Sequence, residues 1–314
     1  MKIRFVSDSR GPSVDRRGEG PSAGRAAPQA SWPETFLNPR DGSAMRLIPS
    51  GEFTMGSTQR DIESARELDK DGGVFALSHE SYALSHETPQ FNMFVPAYYL
   101  GVLTVTNEQF ARFLSELQPN RGLFELWVYS TPHILPPRSG GQPYHAEAGF
   151  ERHPAVHMTW LGAQAYCRWA RVRLPTEVEW EKAARGTDAR LFPWGNEWHD
   201  EFLRWRRNER GDPTAEVDAY PEGRSPYGIS QMAGNVSEWC EDWYQPRSYD
   251  DHAMGNRRPP HSGAERVLRG GSCLHRHRLE FRCAMRMASS PLSIWTAFTG
   301  IRCACDLPDL RPES

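Results

Sequence analysis

The chain has 314 residues, of which 38% are hydrophobic and 25% are charged, and its formal net charge is −3. No apolar run approaches the ~20 residues that a membrane-spanning helix needs, and the charge is too small for a general polyanion binder, so we expect neither a membrane nor a nucleic acid as partner. The first residues lack the apolar region of a secretory signal, which makes a cytoplasmic location the expectation.

The N-terminal part, residues 1–44, is predicted to be a disordered or loosely packed arm, because it is rich in Pro, Gly, Ser and Arg and offers few apolar residues for burial. A strand-like segment begins at Met45, which could also be the true start codon. We place the folded domain at residues 45–306 and a C-terminal tail at 307–314. Within the domain, residues 59–87 are predicted to form an inserted surface lid or partner-binding loop.

Three amphipathic helices are predicted from their N-terminal caps. Thr106 begins a capping box ahead of apolar residues at helical spacing, and Thr159 caps a second helix. Thr176 caps a third helix, in which Glu179 closes the capping box. The two remaining glutamates of that helix are expected to face solvent or arginines and to be structural rather than acid–base groups: Glu177 and Glu181.

The second half of the chain consists of short strand-like segments separated by turns. The eleven tryptophans and 26 glycines of the sequence favour a loop-rich fold that aromatic side chains hold together. Helical patterns cluster early and strand patterns late, with no internal repeat. This order predicts an α+β fold class rather than an alternating α/β one.

Eight short motifs carry a resemblance to a known family. They occur in order between about residues 45 and 306: IPSGEFTMGS (48–57), YYLGVLTVTNEQFARFL (98–114), HPAVHMTWLGAQAYCRWARVRLPTEVEWEKAARG (153–186), FPWGNE (192–197), YGISQMAGNVSEW (227–239), RVLRGGS (266–272), RCAMR (282–286) and GIRCACD (300–306). Together they resemble the formylglycine-generating enzymes, also called sulfatase-modifying factors. The resemblance implies a single, loop-rich domain of the C-type-lectin-like kind, with short antiparallel strands and a few helices.

The family resemblance specifies the fold more closely than the function. Its members include copper oxidases that convert a substrate cysteine to formylglycine, iron sulfoxide synthases of ergothioneine biosynthesis, a pyoverdine-maturation enzyme, and binding modules. Function therefore has to be argued from the residues of the site.

The first comparison is with the copper site of formylglycine-generating enzymes. By resemblance its first cysteine falls on Cys273 and its second on Arg278. Arginine stays protonated and offers no lone pair to a metal, so sulfatase activation is not expected. His275 and His277 would share one face with Cys273 if the segment were a strand, which would give a Cys-x-His-x-His row for copper or iron. In that hypothesis Arg278 or Arg282 steers an anionic group; in the alternative, these residues are scaffold.

Two functional hypotheses therefore stay open. The first is a divergent metal-dependent oxidoreductase that uses copper or iron on a peptide or small-molecule substrate. The second is a non-catalytic C-type-lectin-like module that recognises a protein or peptide partner in the same cleft.

A structural calcium ion is also implied by the resemblance. The family's site around GNVSEW would use the side chains of Gln231 and Glu238 and the backbone carbonyls of Gly234 and Val236. Calcium prefers six to eight oxygen ligands, which a turn of this kind can aim at one point. A second calcium loop would involve Asn208. The alternative at both places is a network of water or side chains.

The six cysteines are expected to be thiols or ligands in a reducing cytosol. Cys167 and Cys303 match two positions that form a disulfide in secreted relatives, so their sulfurs are predicted to be neighbours here, as reduced and buried thiols. Cys283 is predicted to be an inert core thiol. Cys240 and Cys305 have no predicted partner.

Overall fold

The ends of the domain meet in one antiparallel sheet. This sheet has the order β1 (Thr35–Leu37), β2 (Ala44–Ile48), β5 (Tyr98–Gly101) and β12 (Ala304–Asp306). The structure is a computed structural model, which describes residues 32–68, 84–137, 143–208, 211–293 and 298–307.

The folded domain begins earlier than Met45. Strand β1 pairs with β2, and Phe36 packs edge-on against Tyr99 with 4.7 Å between ring centroids. The side-chain amide of Asn38 donates to the carbonyl of Ala170. The prediction of a loose arm is therefore wrong for residues 32–44, because pairing with β2 and the contacts with Tyr99 and Ala170 outweighed the unfavourable local composition. Residues 1–31, and the tail beyond residue 307, lie outside the described residues.

A second sheet forms the other half of the domain. Its order is β10 (Met287–Ser289), β9 (Arg266–Arg269), β8 (Ser237–Trp243) and β11 (Thr299–Gly300). All of its pairs are antiparallel except β8 with β11, which run parallel. Two smaller antiparallel pairs complete the described strands: β3 (Gly51–Met55) with β4 (Phe91–Val95), and β6 (Ile134–Leu135) with β7 (His145–Ala146).

The three predicted helices are present, and each begins at its predicted cap. They are α2 (Asn107–Leu117), α4 (Trp160–Ala170) and α5 (Glu177–Arg185). The capping boxes at Thr106 and Thr176 are both complete. Local capping chemistry thus predicted the helices well, because both partners of a capping box lie within four residues of each other.

Three further helices were not predicted: α1 (Gln59–Glu67), α3 (Arg121–Trp127) and α6 (Ser248–Ala253). Helix α1 lies inside the inserted segment and packs on the 3₁₀ turn Arg278–Phe281. Residues 69–83 of the insertion lie outside the described residues, so the lid stays a prediction. None of the described helices is long and apolar enough to cross a membrane.

A buried ionic network joins α5 to the second sheet. Glu177 accepts two hydrogen bonds from the guanidinium of Arg286 (2.7 and 2.9 Å), and Arg269 bonds both Glu177 and Glu181. Arg185 adds a 3.1 Å contact to Glu181. All five side chains are nearly inaccessible to solvent. The arginine environment predicted for the two glutamates is therefore found, and the solvent-exposed alternative is wrong.

Candidate functional site

The segment that carries the candidate catalytic residues starts with two glycines in a left-handed conformation. Gly270 has φ +89° and Gly271 has φ +69°. A Cβ on Gly271 would lie 2.9 Å from the Phe281 ring and 3.0 Å from the carbonyl oxygen of Glu280. Only glycine accepts this combination of backbone angle and close approach. The double glycine thus turns the chain from β9 onto the 3₁₀ turn Arg278–Phe281.

Residues 273–277 do not form a strand. Cys273 lies in a turn, is 2% exposed, and donates its backbone N–H to the carbonyl of Asn235 (2.9 Å). The Glu280 carboxylate accepts the backbone N–H groups of Arg276 (3.0 Å) and His277 (2.8 Å) and so holds the start of the 3₁₀ turn. The strand that the Cys-x-His-x-His hypothesis assumed is therefore not formed, because these local bonds replace a strand ladder.

The imidazole of His275 is already engaged by the turn. Its Nδ1 atom accepts the backbone N–H of Ser272 at 2.9 Å and lies 3.0 Å from the Ser272 hydroxyl oxygen. Since Nδ1 accepts, the neutral ring carries its proton on Nε2, which lies 3.9 Å from a carboxylate oxygen of Glu280. Ligation of a metal would need Nε2 to give up that proton.

The two arginines that were expected to steer an anion differ in their surroundings. Arg282 is 1% exposed, and both of its terminal nitrogens donate to the carboxylate of Glu87 (2.9 and 2.6 Å). Its charge is neutralised inside the protein, so the anion-steering role is wrong for Arg282. Arg278 is half-buried, donates to the carbonyl of Leu68 (3.2 Å), and places its guanidinium 5.9 Å from the Trp198 ring centroid.

A recess of about 450 Å³ opens beside this segment. We call it the cationic recess; its lining side chains are Arg206, Arg207, Arg276 and His277. Among the described residues, no acidic side chain lines it. The backbone N–H of Arg206 donates to the carbonyl of His275 (3.1 Å), which fixes the two walls to each other. The recess therefore combines one sign of charge with a backbone held in place on both sides.

An aromatic cluster supports the cationic recess. Trp205 packs against Trp198 with 4.9 Å between ring centroids and against Phe281 at 5.8 Å. The guanidinium of Arg207 lies over the Trp205 ring at 5.5 Å. The sequence contains a signal for this wall in the run Arg204–Arg207, but the arginine excess of the whole chain hides it, since nearly every basic residue is an arginine.

A larger cavity, of about 740 Å³, lies elsewhere, between the N-terminal half of α2, the β5–α2 connection and β7. None of the candidate site residues lines it. Its charges are partly paired among themselves and their neighbours; Arg152, for example, bonds Glu216 and Asp218. Size alone would favour this cavity as the ligand-binding site, but its lining residues provide no convergent set of charges.

A sequence profile of the family described as "Sulfatase-modifying factor enzyme 1-like domain" matches residues 33–307. The chain belongs to this family. The formylglycine-generating enzyme of Thermomonospora curvata is 41% identical over 293 residues, which cover 83% of the chain and 93% of that enzyme. The family resemblance and the single α+β domain predicted from the sequence are thus confirmed.

Other family relatives carry different names. The serine/threonine-protein kinase pkn1 of Chlamydia pneumoniae is 35% identical over 83% of the chain, but the chain spans only 37% of that kinase's length. The hercynine oxygenase of Mycolicibacterium thermoresistibile is 34% identical over 62% of the chain and 48% of that protein. The solved structure of PvdO from Pseudomonas aeruginosa superposes with a TM-score of 0.62 at 20% identity, covering 88% of the chain and all of PvdO. PvdO supports the fold alone.

The copper site of the family's oxidases does not fit the residues present. By the family resemblance its second thiolate position falls on Arg278, whose guanidinium lies beside Trp198. Cys283, the next thiol along the chain, belongs to the core cluster around Trp180, and burial raises its pKa to about 12. In the part of the chain that the structure describes, no group of three or more His, Cys, Asp or Glu side chains could hold a metal ion.

The predicted calcium ligands bond to other protein groups. Gln231 donates to the carbonyl of Glu216 (2.7 Å), and its amide oxygen accepts from Asn235 (2.6 Å). Glu238 accepts two hydrogen bonds from Arg302 (2.9 and 2.7 Å) and one from the Trp180 indole N–H (2.6 Å). These contacts favour the side-chain network that we set against calcium. Calcium at the loop containing Gly234 and Val236 stays a prediction.

The second predicted calcium residue, Asn208, also has a structural role. Its amide oxygen accepts the backbone N–H of Trp205 (3.0 Å), and its amide nitrogen donates to the carbonyls of Asp200 and Leu203 (2.8 Å each). With both ends of the amide occupied, Asn208 closes the 3₁₀ turn Arg206–Asn208 and so holds one wall of the cationic recess.

The predicted pair of thiols is present. Cys167 and Cys303 are both free and buried, and a hydrogen bond joins their side chains; this bond, together with burial, raises the pKa of Cys303. The prediction that their sulfurs are neighbours is confirmed, and their reduced state stays a prediction. Cys240 is also buried, and Cys305 is half-buried.

Proposed function

We propose that the chain is a ligand-recognition member of its family, which binds a peptide or small-molecule ligand in the cationic recess. The observation that carries this proposal is that charged side chains, and not metal-binding thiolates, are presented by this segment. The segment that provides thiolates in the copper oxidases here turns Arg276 and His277 toward the recess, while Cys273 is buried and His275 is bonded to its own turn.

The recess has the pre-organisation that recognition needs. Its two walls are fixed by the bond between Arg206 and His275, by the Glu280 carboxylate under Arg276 and His277, and by the saturated amide of Asn208. Binding to a surface that is already ordered costs less conformational entropy than binding to a flexible loop. A cleft of one charge sign also concentrates oppositely charged ligands from solution.

A fragment screen followed by NMR tests this proposal directly. A mixed collection of short peptides and small acids, bases and neutral compounds is added to labelled protein, and the shifts of the Trp205 indole N–H and of the Arg207 and Arg276 side chains are recorded. We expect the hits to cluster at these groups and to be anionic. Hits confined to the cavity around α2, or no hits at the recess, would contradict the proposal.

A second candidate is the metal-dependent oxidoreductase, which the hercynine oxygenase and formylglycine-generating enzyme relatives favour by name. It would use copper or iron, with Cys273 and His277 as the candidate ligands and His275 available only after its ring is deprotonated at Nε2. Its substrate would be a peptide or small molecule, with Arg278 beside the reacting group. Oxygen consumption that depends on Cys273 is the property that only this candidate predicts.

A further inference from the structure

We propose that the cavity of about 740 Å³ between α2, the β5–α2 connection and β7 is a second binding site, whose ligand is a small neutral saccharide. We call it the α2 cavity. Among the described residues, it shares no lining residue with the cationic recess, so this inference does not depend on the ligand proposed there. Its volume lies within the roughly 300–1,000 Å³ that is typical of small-molecule sites.

Hydrogen bonds between distant segments hold the walls of the α2 cavity together. The side-chain amide of Gln109 accepts the backbone N–H of Thr106 (3.0 Å) and donates to the carbonyl of Asp41 (3.2 Å). The Ser115 hydroxyl oxygen lies 3.1 Å from the carbonyl oxygen of Tyr144. Helix α2 is thereby joined to the turn before β2 and to the residue before β7. A cavity that is already ordered loses little conformational entropy when it binds a ligand.

The charged side chains that line the α2 cavity have both signs. They are Asp41, Glu108, Glu151, Arg112 and Arg152. Both arginines also contact other protein groups: Arg152 forms ion pairs with Glu216 and Asp218, and Arg112 donates to the carbonyl of Arg40. A ligand with a full charge of either sign would approach at least one like charge in this cavity. The lining therefore favours a neutral ligand.

A buried hydroxyl in the wall is an independent observation that points to a ligand. Thr104 lines the α2 cavity and is 3% exposed, and among the described residues its side-chain oxygen has no hydrogen-bond partner. The great majority of buried polar groups in proteins are hydrogen-bonded, because an unpaired one keeps the cost of its lost hydration. A ligand hydroxyl supplies the missing partner, since it can donate one hydrogen bond and accept two.

Several hydroxyl groups on one molecule match the mixture of donors and acceptors in the lining. Glu108 and Glu151 supply carboxylate acceptors, and Arg112 supplies guanidinium donors. Tyr144 adds an aromatic surface, and its ring is stacked on Phe124 with 6.3 Å between the centroids. A tyrosine combines an apolar ring with a polar hydroxyl, as a sugar ring combines apolar C–H groups with hydroxyls. These features together favour a saccharide over an apolar molecule.

The test titrates isotopically labelled protein with neutral disaccharides and follows the backbone N–H signals of residues 101–106 by NMR. The disaccharides are maltose, cellobiose, lactose, sucrose and trehalose. Glucose, glucuronate and glucosamine are compared as neutral, anionic and cationic forms of one ring. A blocked dipeptide, N-acetyl-alanyl-alanine amide, is the neutral ligand that carries amides in place of hydroxyls.

Two substitutions remove single hydroxyls from the lining: Thr104→Val and Tyr144→Phe. The matched control is Tyr129→Phe, which removes the hydroxyl of an exposed tyrosine that does not line the α2 cavity. Thr104→Val should keep or raise the melting temperature, because it replaces an unpartnered buried hydroxyl by a methyl group. A purely structural role of this hydroxyl would instead lower the melting temperature in Thr104→Val.

We expect at least one disaccharide to shift the signals of residues 101–106, and neither charged sugar to bind there more tightly than glucose. Thr104→Val and Tyr144→Phe should each weaken disaccharide binding about fivefold, which is the scale of one neutral hydrogen bond. Tyr129→Phe should bind like wild type.

Three results would overturn the inference. The first is that no disaccharide shifts the signals of residues 101–106. The second is tighter binding of a charged sugar than of glucose, or of the blocked dipeptide than of the disaccharides, which would assign the cavity to another class of ligand. The third is unchanged binding in both Thr104→Val and Tyr144→Phe, which would place the sugar elsewhere. The Trp205 indole signal reports on the cationic recess separately, so a failure of the proposed function is distinguished from a failure of this inference.

Discussion

At the scale of single residues, the buried arginine–glutamate pairs dominate the electrostatics of the domain. Arg282 and Glu87 are almost completely inaccessible and lie 195 positions apart in the sequence. A buried pair of this kind contributes little net stability against an apolar replacement, but removing one partner leaves the other charged and unpaired in the interior. The pair therefore fixes the insertion to the 3₁₀ turn more than it raises total stability.

Glu87→Gln should consequently lower the free energy of unfolding by about 3–5 kcal/mol, because it leaves the buried charge of Arg282 without its counter-charge. Urea denaturation of wild type and variant measures this loss. Glu125→Gln is the matched control, since it breaks an exposed arginine–glutamate pair on α3 and should leave stability unchanged. Equal stabilities for all three proteins would show that the Arg282 charge finds compensation elsewhere.

The carboxyl of Asp242 predicts a specific pH dependence. Burial, and then the nearby charge of Glu177, raise its pKa from 3.8 to about 7. Between these two values the unfolded chain releases the proton while the folded chain keeps it, so the contribution of this group to stability falls as pH rises. The Asp242→Asn substitution should remove this pH dependence of the stability.

Unfolding free energies of wild type and Asp242→Asn should thus diverge as pH rises from about 4 to about 7, with the variant gaining relative to wild type. The variant keeps an oxygen to accept the backbone N–H of Glu177. Parallel pH profiles for the two proteins would mean that Asp242 is ionised in the folded state throughout.

At the scale of secondary-structure elements, the capped helices could be predicted from the sequence, whereas the conformation of residues 273–277 could not. The capping boxes at Thr106 and Thr176 specified their helices because both partners are close in sequence. The alternation of Cys273, His275 and His277 has the period of a strand, but the Glu280 carboxylate captures the backbone N–H groups that a strand would use. A side chain that bonds the backbone can thus override a period of two.

The double glycine gives a prediction at the same scale. Gly271→Ala should lower the unfolding free energy by about 1–3 kcal/mol or more. The alanine would have to adopt a left-handed backbone conformation, and its Cβ would also lie too close to Phe281 and Glu280. Gly228→Ala is the control, with φ +76° and open space around the new Cβ, so it carries the backbone strain alone. Chemical denaturation compares the two variants. An equal loss of unfolding free energy in both would show that the close contact at Gly271 adds nothing to the backbone strain.

At the scale of the whole molecule, the fold could be predicted from ordered motifs, whereas the site could not. The motifs carry the family across nearly the full domain, and the thiol pair Cys167–Cys303 followed from the same resemblance. The cationic recess unites residues about 70 positions apart, and the partners of the predicted calcium residues, such as Arg302 for Glu238, are equally distant. Such non-local pairings leave no periodic signal in the sequence.

We propose that this chain recognises a ligand with charged side chains in the segment where, by the family resemblance, formylglycine-generating enzymes would hold copper with two cysteines. Metal stoichiometry with oxygen uptake tests it most directly, in wild type and Cys273→Ser, after loading with Cu(I) or Fe(II) and in the presence of a thiol peptide. We predict that the two proteins retain the same amount of metal and take up no oxygen above the buffer. One metal ion per wild-type chain, lost in Cys273→Ser together with oxygen uptake, would contradict the claim.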